Sequence, residues 1–291
     1  MVDSLLEDLK GQFRYGNMIT KLILVNLGVF VVFILIGVFS GGFDSPTYRS
    51  IRDLFSLPGD ITLLWKRPWS IITHMFLHAG LGHIFWNMII LYWFGRIFGD
   101  LMGDRRVLPL YFAGGLAGAI FYLIFANFLS PYGGVAIGAS AAVMSIVVAA
   151  GFVAPYYELN LILIGRVKLM YIVAALFFID LVSISQGSNT GGHFAHIGGA
   201  LLGGIYITIL HKNGVDMLEG FTNFFEKKPP ARKEPQRTKV VSMKPRRQSR
   251  SSENYDTSQD AIDRILEKIK ISGVSSLTRE EKDVLDRASK E

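Results

Sequence analysis

Met18 to Phe39 is a run of 22 residues with one charge, Lys21, and it limits what the chain can be. As a helix it rises about 33 Å, enough to cross a hydrocarbon core of about 30 Å. Five more apolar runs follow: Trp69 to Leu101 with a polar first half, Val107 to Leu129, Gly138 to Pro155, Lys168 to Ser185 and Gly192 to His211. The length would allow two soluble domains, but runs of this kind predict an all-α polytopic membrane protein with six transmembrane helices. The first run is too long for a cleaved signal peptide and lacks an Ala-x-Ala-type site near its end. There are no cysteines, so neither a disulfide framework nor a thiolate metal site is available.

Positive charges set the direction of the spans. Lys10, Arg14 and Lys21 surround the start of the first. Arg96, Arg105 and Arg106 fall at the junction of the second and third, Arg166 and Lys168 between the fourth and fifth, and Lys212 after the sixth. The loops after the third and fifth carry no Lys or Arg, and only the first loop dissents, with Arg49, Arg52, Lys66 and Arg67. The bias predicts an integral membrane protein with both termini in the cytoplasm. In the first loop, Ile51, Leu54, Phe55, Trp65 and Trp69 suit a segment lying in the interface.

With that orientation, spans two, four and six all run inward from the outer face. His83 and Asn87 lie early in span two, four residues apart and so on one side of a helix. Ser140 is in the first turn of span four, within Gly138-Ala-Ser-Ala141, and His196 is four residues into span six. The three sites therefore share one depth. Gly199, Ala200 and Gly203 follow His196 at i+3, i+4 and i+7, so the face with the histidine is the face without bulk. A neighbouring helix can approach it closely, and span four would bring Ser140 within hydrogen-bond reach. His78 cannot share the side of His83 in a continuous helix and belongs with His74 in the approach to the span.

Taken singly, a serine among small residues is a packing residue and a buried histidine is a structural hydrogen-bonding group. Matched depth makes the set Ser140, His196 and Asn87 a candidate for chemistry, since polar groups within spans are costly. A metal site is the rival use of histidines. The chain has no His-Glu-x-x-His and no acid near the histidines of span two, so no metal and no other cofactor is expected. Asp180 is the one acid deep within a span. It can orient a histidine, face a water-filled groove, or be a buried structural carboxyl. The structural reading is preferred, which leaves Asp180 outside the catalytic set.

These motifs resemble the rhomboid intramembrane serine proteases. His78, His83 and Asn87 match the family's His-x-x-x-x-His-x-x-x-Asn in the second core helix. Gly138 to Ala141 matches Gly-x-Ser-x in the fourth, and Ala195, His196 and Gly199 match Ala-His-x-x-Gly in the sixth. Gly199 and Gly203 fit a glycine-rich sixth helix. The resemblance spans Met18 to His211 and departs at Ala141, where many members have glycine. It implies a serine-type endopeptidase with a serine–histidine dyad and no acid. Ser140 would be the nucleophile and His196 the general base and then acid. His83, Asn87 and the Ser140 amide would bind the oxyanion, and Gly138 would let the substrate backbone pass. His74, His78 and His193 would keep an outward cavity wet. Substrates would be transmembrane segments that unwind near the cut, where Gly, Pro or polar residues weaken the helix.

The remainder reads as an appendage. Val215, Leu218, Phe221, Phe224 and Phe225 suggest a short helix on the inner surface. Lys227 to Arg250 holds ten Lys or Arg, one acid and four prolines, and reads as a disordered linker drawn to anionic lipid. Ile262, Ile265, Leu266 and Ile269 form a helical stripe, and Thr278-Arg-Glu-Glu281 is a capping box opening another helix. Such a piece resembles small helical appendages found after the rhomboid core in some bacteria. The expected division is 1–17, an N-terminal cytoplasmic segment; 18–211, the membrane core; 212–257, interfacial helix and basic linker; and 258–291, a small helical domain. Expected partners are transmembrane protein substrates and the lipid bilayer, not nucleic acid, and the expected location is a bacterial inner membrane. Two other classes compete. An inactive rhomboid-like escort of membrane helices would not need all of Ser140, His196 and Asn87. A transporter predicts several charged spans and inverted repeats.

Overall fold

All six apolar runs become helix, but not all at the expected length. A computed structural model describes residues 2–129, 134–161, 164–184, 189–225, 259–272 and 276–288. Helix α1 (Val2–Tyr15) precedes α2 (Met18–Phe39), whose start is capped by Asn17 Oδ1 accepting from the Thr20 amide at 2.9 Å. The first loop then folds on itself: α3 (Pro46–Phe55), the short strand β1 (Leu57–Pro58) and a 3₁₀ turn at Ile61–Trp65. Trp69 Nε1 donates to the Leu54 carbonyl at 2.9 Å and Thr73 Oγ1 to the Phe55 carbonyl at 2.7 Å, so the loop is tied to the start of the second apolar run. Trp65 and Trp69 stay exposed, as suits indoles at headgroup level.

The second run is not one continuous span. It forms α4 (Ser70–Thr73), a 3₁₀ turn at His74–Phe76 and, after a break, α5 (Leu81–Met102). The two parts meet at 92°. Gly80 takes the N-cap of α5 with extended backbone, so the helix starts afresh there. His78 falls in the break, as its spacing from His83 requires.

Next come α6 (Val107–Ile124), continued by a π turn at Phe125–Leu129, the strand β2 (Val135–Ala136) and α7 (Ser140–Val153). The hairpin β3 (Glu158–Leu161) and β4 (Gly165–Lys168) leads to α8 (Leu169–Ser183), α9 (Thr190–Asn213) and α10 (Glu219–Phe225). Among the described residues, Met18–Phe39, Asp104–Leu129 and Thr190–Asn213 are long and apolar enough to cross a membrane, with the bent pair as a fourth. Helices α7 and α8 have 14 and 15 residues, which rise only about 21–23 Å.

Helix α7 sits at the centre, with Ile146, Val147, Ala149 and Ala150 fully buried. Glycines let its neighbours approach it. A methyl group on Gly199 would collide with the Ala141 carbonyl, and one on Gly203 with the Ser145 carbonyl, so α9 lies directly against the α7 backbone. From α6, Gly114 meets Ser145 and Gly118 meets Ala141. This is the small-residue packing that the spacing from His196 predicts. Exposed apolar side chains, Phe85 on α5, Ile120 on α6, Phe178 on α8 and Ile205 on α9, suit contact with lipid.

At the end of the bundle away from Ser140, polar groups tie three elements together. The Asp104 carboxylate accepts from the Met18 amide at 2.8 and 2.9 Å. Asp216 accepts from Arg106 Nε at 2.8 Å, from Tyr206 at 3.0 Å and from the Leu218 amide at 3.1 Å. Burial pushes the Asp216 carboxyl up, but these bonds, led by Arg106, outweigh it and hold it below its ordinary value. Phe221 of α10 packs edge-on to Phe112, and Thr222 is buried. The short helix expected in this stretch forms as α10, and Asp216, Leu218, Phe221 and Thr222 tie it to the bundle.

The chain divides into two compact units, Met1–Pro229 and Pro230–Glu291. In the second, α11 (Gln259–Ser272) and α12 (Arg279–Ala288) pack around Ile265, Leu277 and Val284. The capping box forms: the Thr278 amide donates to Glu281 Oε2 at 2.7 Å and the Glu281 amide to Thr278 Oγ1 at 3.3 Å. The basic stretch 227–250 lies outside the described residues.

Candidate active site

Ser140 is the first residue of α7, and the segment before it is held from two sides. Strand β2 pairs antiparallel with β1, Leu57 opposite Ala136 and Pro58 opposite Val135, and the Gly59 amide donates to the Gly134 carbonyl at 2.8 Å. Two residues before Ser140, the Gly138 amide donates to the His74 carbonyl at 2.8 Å. Non-helical backbone at membrane depth is tolerated only where protein or a watered cavity takes its polar groups. Here protein does so. As the first helical residue, Ser140 has no carbonyl one turn before it within α7, so its amide is free to donate.

Helix α9 carries His196 to the serine. His196 Nε2 lies 2.7 Å from Ser140 Oγ. His193, one turn earlier on the same face, makes no such contact, so of the two histidines it is His196 that meets the serine. Asp180 of α8 lies behind both. Its Oδ1 is 2.7 Å from His196 Nδ1 and 2.6 Å from His193 Nδ1. Asp180 is therefore not an isolated structural carboxyl, and the expectation that no acid is positioned near the dyad is overturned. With Leu169 and Val173 it completes the inward stripe of α8. That stripe is invisible in the sequence because α8 is apolar all round.

Helix α5 supplies the third side. The Ala79 amide donates to His83 Nδ1 at 3.3 Å. An accepting Nδ1 puts the ring proton on Nε2 in the neutral tautomer, which the bonding pattern assigns. That edge of the ring faces Gly138 and Ser140: a methyl group on Gly138 would come 2.9 Å from His83 Nε2 and 3.4 Å from Ser140 Oγ. Gly138 also has φ +134°, which side-chain-bearing residues rarely adopt. Asn87 is 7% exposed, and one proton of its Nδ2 goes to the His83 carbonyl at 2.8 Å. Nδ2 has a second proton to give.

His83, Asn87, Ser140, Asp180, His193 and His196 all line one cavity of about 790 Å³. The volume is ample for a short extended peptide segment and its side chains. Of the three histidines expected to keep it wet, only His193 lines it. His74 and His78 are buried instead, His74 bonded through Nδ1 to the Ser70 carbonyl at 2.9 Å and His78 packed edge-on to His83. The break before α5 turns them into the protein rather than toward the cavity. Asp180, His193 and His196 together offer three donor atoms of the kind that hold a metal ion, within 4.8 Å of one another. Their 2.6 and 2.7 Å separations are those of charge-assisted hydrogen bonds, which already use both Nδ1 atoms.

Comparison with known proteins agrees with this architecture. The family profile described as Rhomboid domain matches residues 66–213, just over half of the chain, and a second, described as a family of unknown function (DUF6576), matches 249–291. RHOMBOID-like protein 12, mitochondrial, of Arabidopsis thaliana is 32% identical over 202 residues, covering 65% of this chain and 57% of its own. Presenilin-associated rhomboid-like protein A, mitochondrial, of Danio rerio is 27% identical over 144 residues, covering 49% of this chain and 37% of its own. A rhomboid protein of Bacillus subtilis (strain 168) is 29% identical over 166 residues, covering 51% of this chain and 78% of its own. The chain spans about half the length of the first two relatives. The bundle, the motif-bearing helices and the profile match coincide: this integral membrane protein belongs to the rhomboid family.

Proposed function

We propose that the protein is an intramembrane serine endopeptidase that cuts transmembrane segments of other proteins near the outer face of the bilayer. The observation that carries this reading is the 2.7 Å contact between Ser140 Oγ and His196 Nε2 inside an apolar bundle. A serine hydroxyl is a poor nucleophile until a base takes its proton, and His196 is within reach to do so. Ser140 Oγ bonds to the scissile carbonyl carbon as its proton passes to His196 Nε2, and the carbonyl π electrons move to oxygen. The Ser140 amide, His83 Nε2–H and Asn87 Nδ2–H stabilise that oxyanion. His196 then returns the proton to the leaving amide nitrogen as the C–N bond breaks. Water repeats the sequence on the acyl-enzyme and frees Ser140.

A transmembrane helix closes its peptide bonds in its own hydrogen bonds, so it must open locally before Ser140 can reach a carbonyl carbon. Substrates therefore carry Gly, Pro or polar residues where the helix must open. The charge bias sets the termini in the cytoplasm and the site toward the opposite face. The proposed location is a bacterial inner (plasma) membrane, supported by a match to 78% of the Bacillus relative's own length against 57% and 37% for the two relatives named as mitochondrial. The proteolytic unit is the membrane core 18–211 with the packed segment after it, and the basic stretch 227–250 serves contact with anionic lipid.

Single-turnover cleavage of one transmembrane substrate by detergent-solubilised protein tests the reading. Ser140→Ala, His196→Ala and the double variant should be equally inactive, because each removes the same step. Ser140→Ala should still bind substrate. Sustained cleavage by His196→Ala refutes the proposal, and an uncut substrate bound equally by wild type and Ser140→Ala would favour an escort.

A further inference from the structure

We infer that Asp180 is a positioning residue for catalysis, completing a Ser140–His196–Asp180 relay that draws on all three inward faces of α7, α9 and α8. The inference rests on the protease reading above and goes beyond its dyad. A carboxylate within a membrane bundle is costly and persists where it has partners and a task. Asp180 Oδ1 has two partners, both imidazole Nδ1 atoms, at 2.6 and 2.7 Å. These lengths fit N–H donors to an ionised carboxylate.

The consequence falls on the tautomer of His196. A neutral imidazole has one N–H and one acceptor nitrogen. With Nδ1–H given to Asp180, the lone pair is on Nε2, which faces Ser140 Oγ at 2.7 Å. Without the carboxylate, the ring is free to carry its proton on Nε2, where it cannot act as base toward Ser140. When His196 takes the serine proton, both ring nitrogens are protonated and the adjacent carboxylate stabilises the positive charge. Asp180 itself keeps no proton at any step.

His193 has a separate part. It stands one turn before His196 on α9 and donates to the same oxygen. Two donors from one helix fix the carboxylate against rotation about its own axis. The rigid α9 backbone, pinned to α7 at Gly199 and Gly203, then sets where that oxygen sits relative to Ser140.

The test compares Asp180→Asn with Ser140→Ala and wild type in full-length protein, measuring kcat and KM separately, alongside ¹⁵N NMR of histidine-labelled wild type. Asp180→Asn should lower kcat by about 10²–10⁴-fold, as loss of a tautomer-fixing carboxylate does, and leave KM within about threefold. Wild type should show His196 protonated on Nδ1 and not on Nε2. A folded Asp180→Asn that keeps wild-type kcat while Ser140→Ala is inactive overturns the role of Asp180 and leaves the dyad standing. Cleavage by Ser140→Ala overturns the dyad itself. The NMR arm decides even if the variant fails to fold, since a ring proton on Nε2 of His196 contradicts the relay. A chelator should not affect cleavage. Loss of cleavage on chelation, restored by zinc, overturns the inference in favour of a metal held by Asp180, His193 and His196.

Discussion

The His74 carbonyl accepts the Gly138 amide at 2.8 Å, joining the broken second span to the strand that delivers the serine. The bond holds Gly138 at φ +134° with its missing side chain facing His83. Gly138→Ala should therefore lower kcat at least about tenfold, from strain of about 1–3 kcal/mol at a left-handed position and from a methyl pushed onto the His83 ring. Circular dichroism should show the helices unchanged. Wild-type kcat in a folded Gly138→Ala would contradict the placement of His83 at the site.

Asn87 has one amide proton on the His83 carbonyl and one to spare. Asn87→Ala should keep the fold and lower kcat by about 10²–10³, the usual cost of one oxyanion donor. His83→Ala should cost activity and also loosen the packing of His78, which rests on its ring. Full kcat for Asn87→Ala on a good substrate would remove it from the oxyanion site.

Asp216 makes stability depend on pH at the other end of the bundle. Its folded pKa is lowered, with burial opposed and outweighed by the bonds from Arg106, Leu218 and Tyr206. A depressed carboxyl stabilises the fold above its unfolded value of about 3.9, and that contribution is lost as pH falls through the folded value. The melting temperature of wild type should exceed that of Asp216→Asn by a steady margin from neutral pH to about pH 5 and lose that margin on further acidification. A margin that grows as pH falls would contradict the network.

Truncation separates the appendage from the bundle. Ending the chain after Phe225 should leave cleavage in detergent intact, because the chemistry lies before it. Ending it after Asn213 removes Asp216 and leaves Arg106 and Tyr206 without that partner, at a cost of about 1–3 kcal/mol of stability. Thermal melting and cleavage of both truncations check this. Equal stability of the two would contradict the tie of Asp216 to the bundle.

Much of the site was legible because polarity inside an apolar run stands out. His83, Asn87, Ser140 and His196 could be placed at one depth from topology and the 3.6-residue period, and the spacing of Gly199 and Gly203 showed which face of α9 meets α7. Asp180 was visible as an acid, but its partners lie 13 and 16 residues on, in the next helix, and a helix apolar on every side does not reveal which face turns inward. The 92° break before α5 was legible only as a mismatch in the His78–His83 spacing. Its effect, turning His74 and His78 into the protein, depends on three-dimensional contacts with the segment before Ser140. The ties of Asp216 to Arg106 and Tyr206 were not legible, because those partners belong to distant turns.

The central claim is that Ser140 is an activated nucleophile, and one measurement addresses it most directly. Detergent-solubilised protein is treated with a serine-reactive fluorophosphonate, and the adduct is located by mass spectrometry. The account predicts a single adduct on Ser140, lost when His196→Ala is treated under the same conditions. An adduct on another serine, or unlabelled protein that still cleaves its substrate, would contradict it.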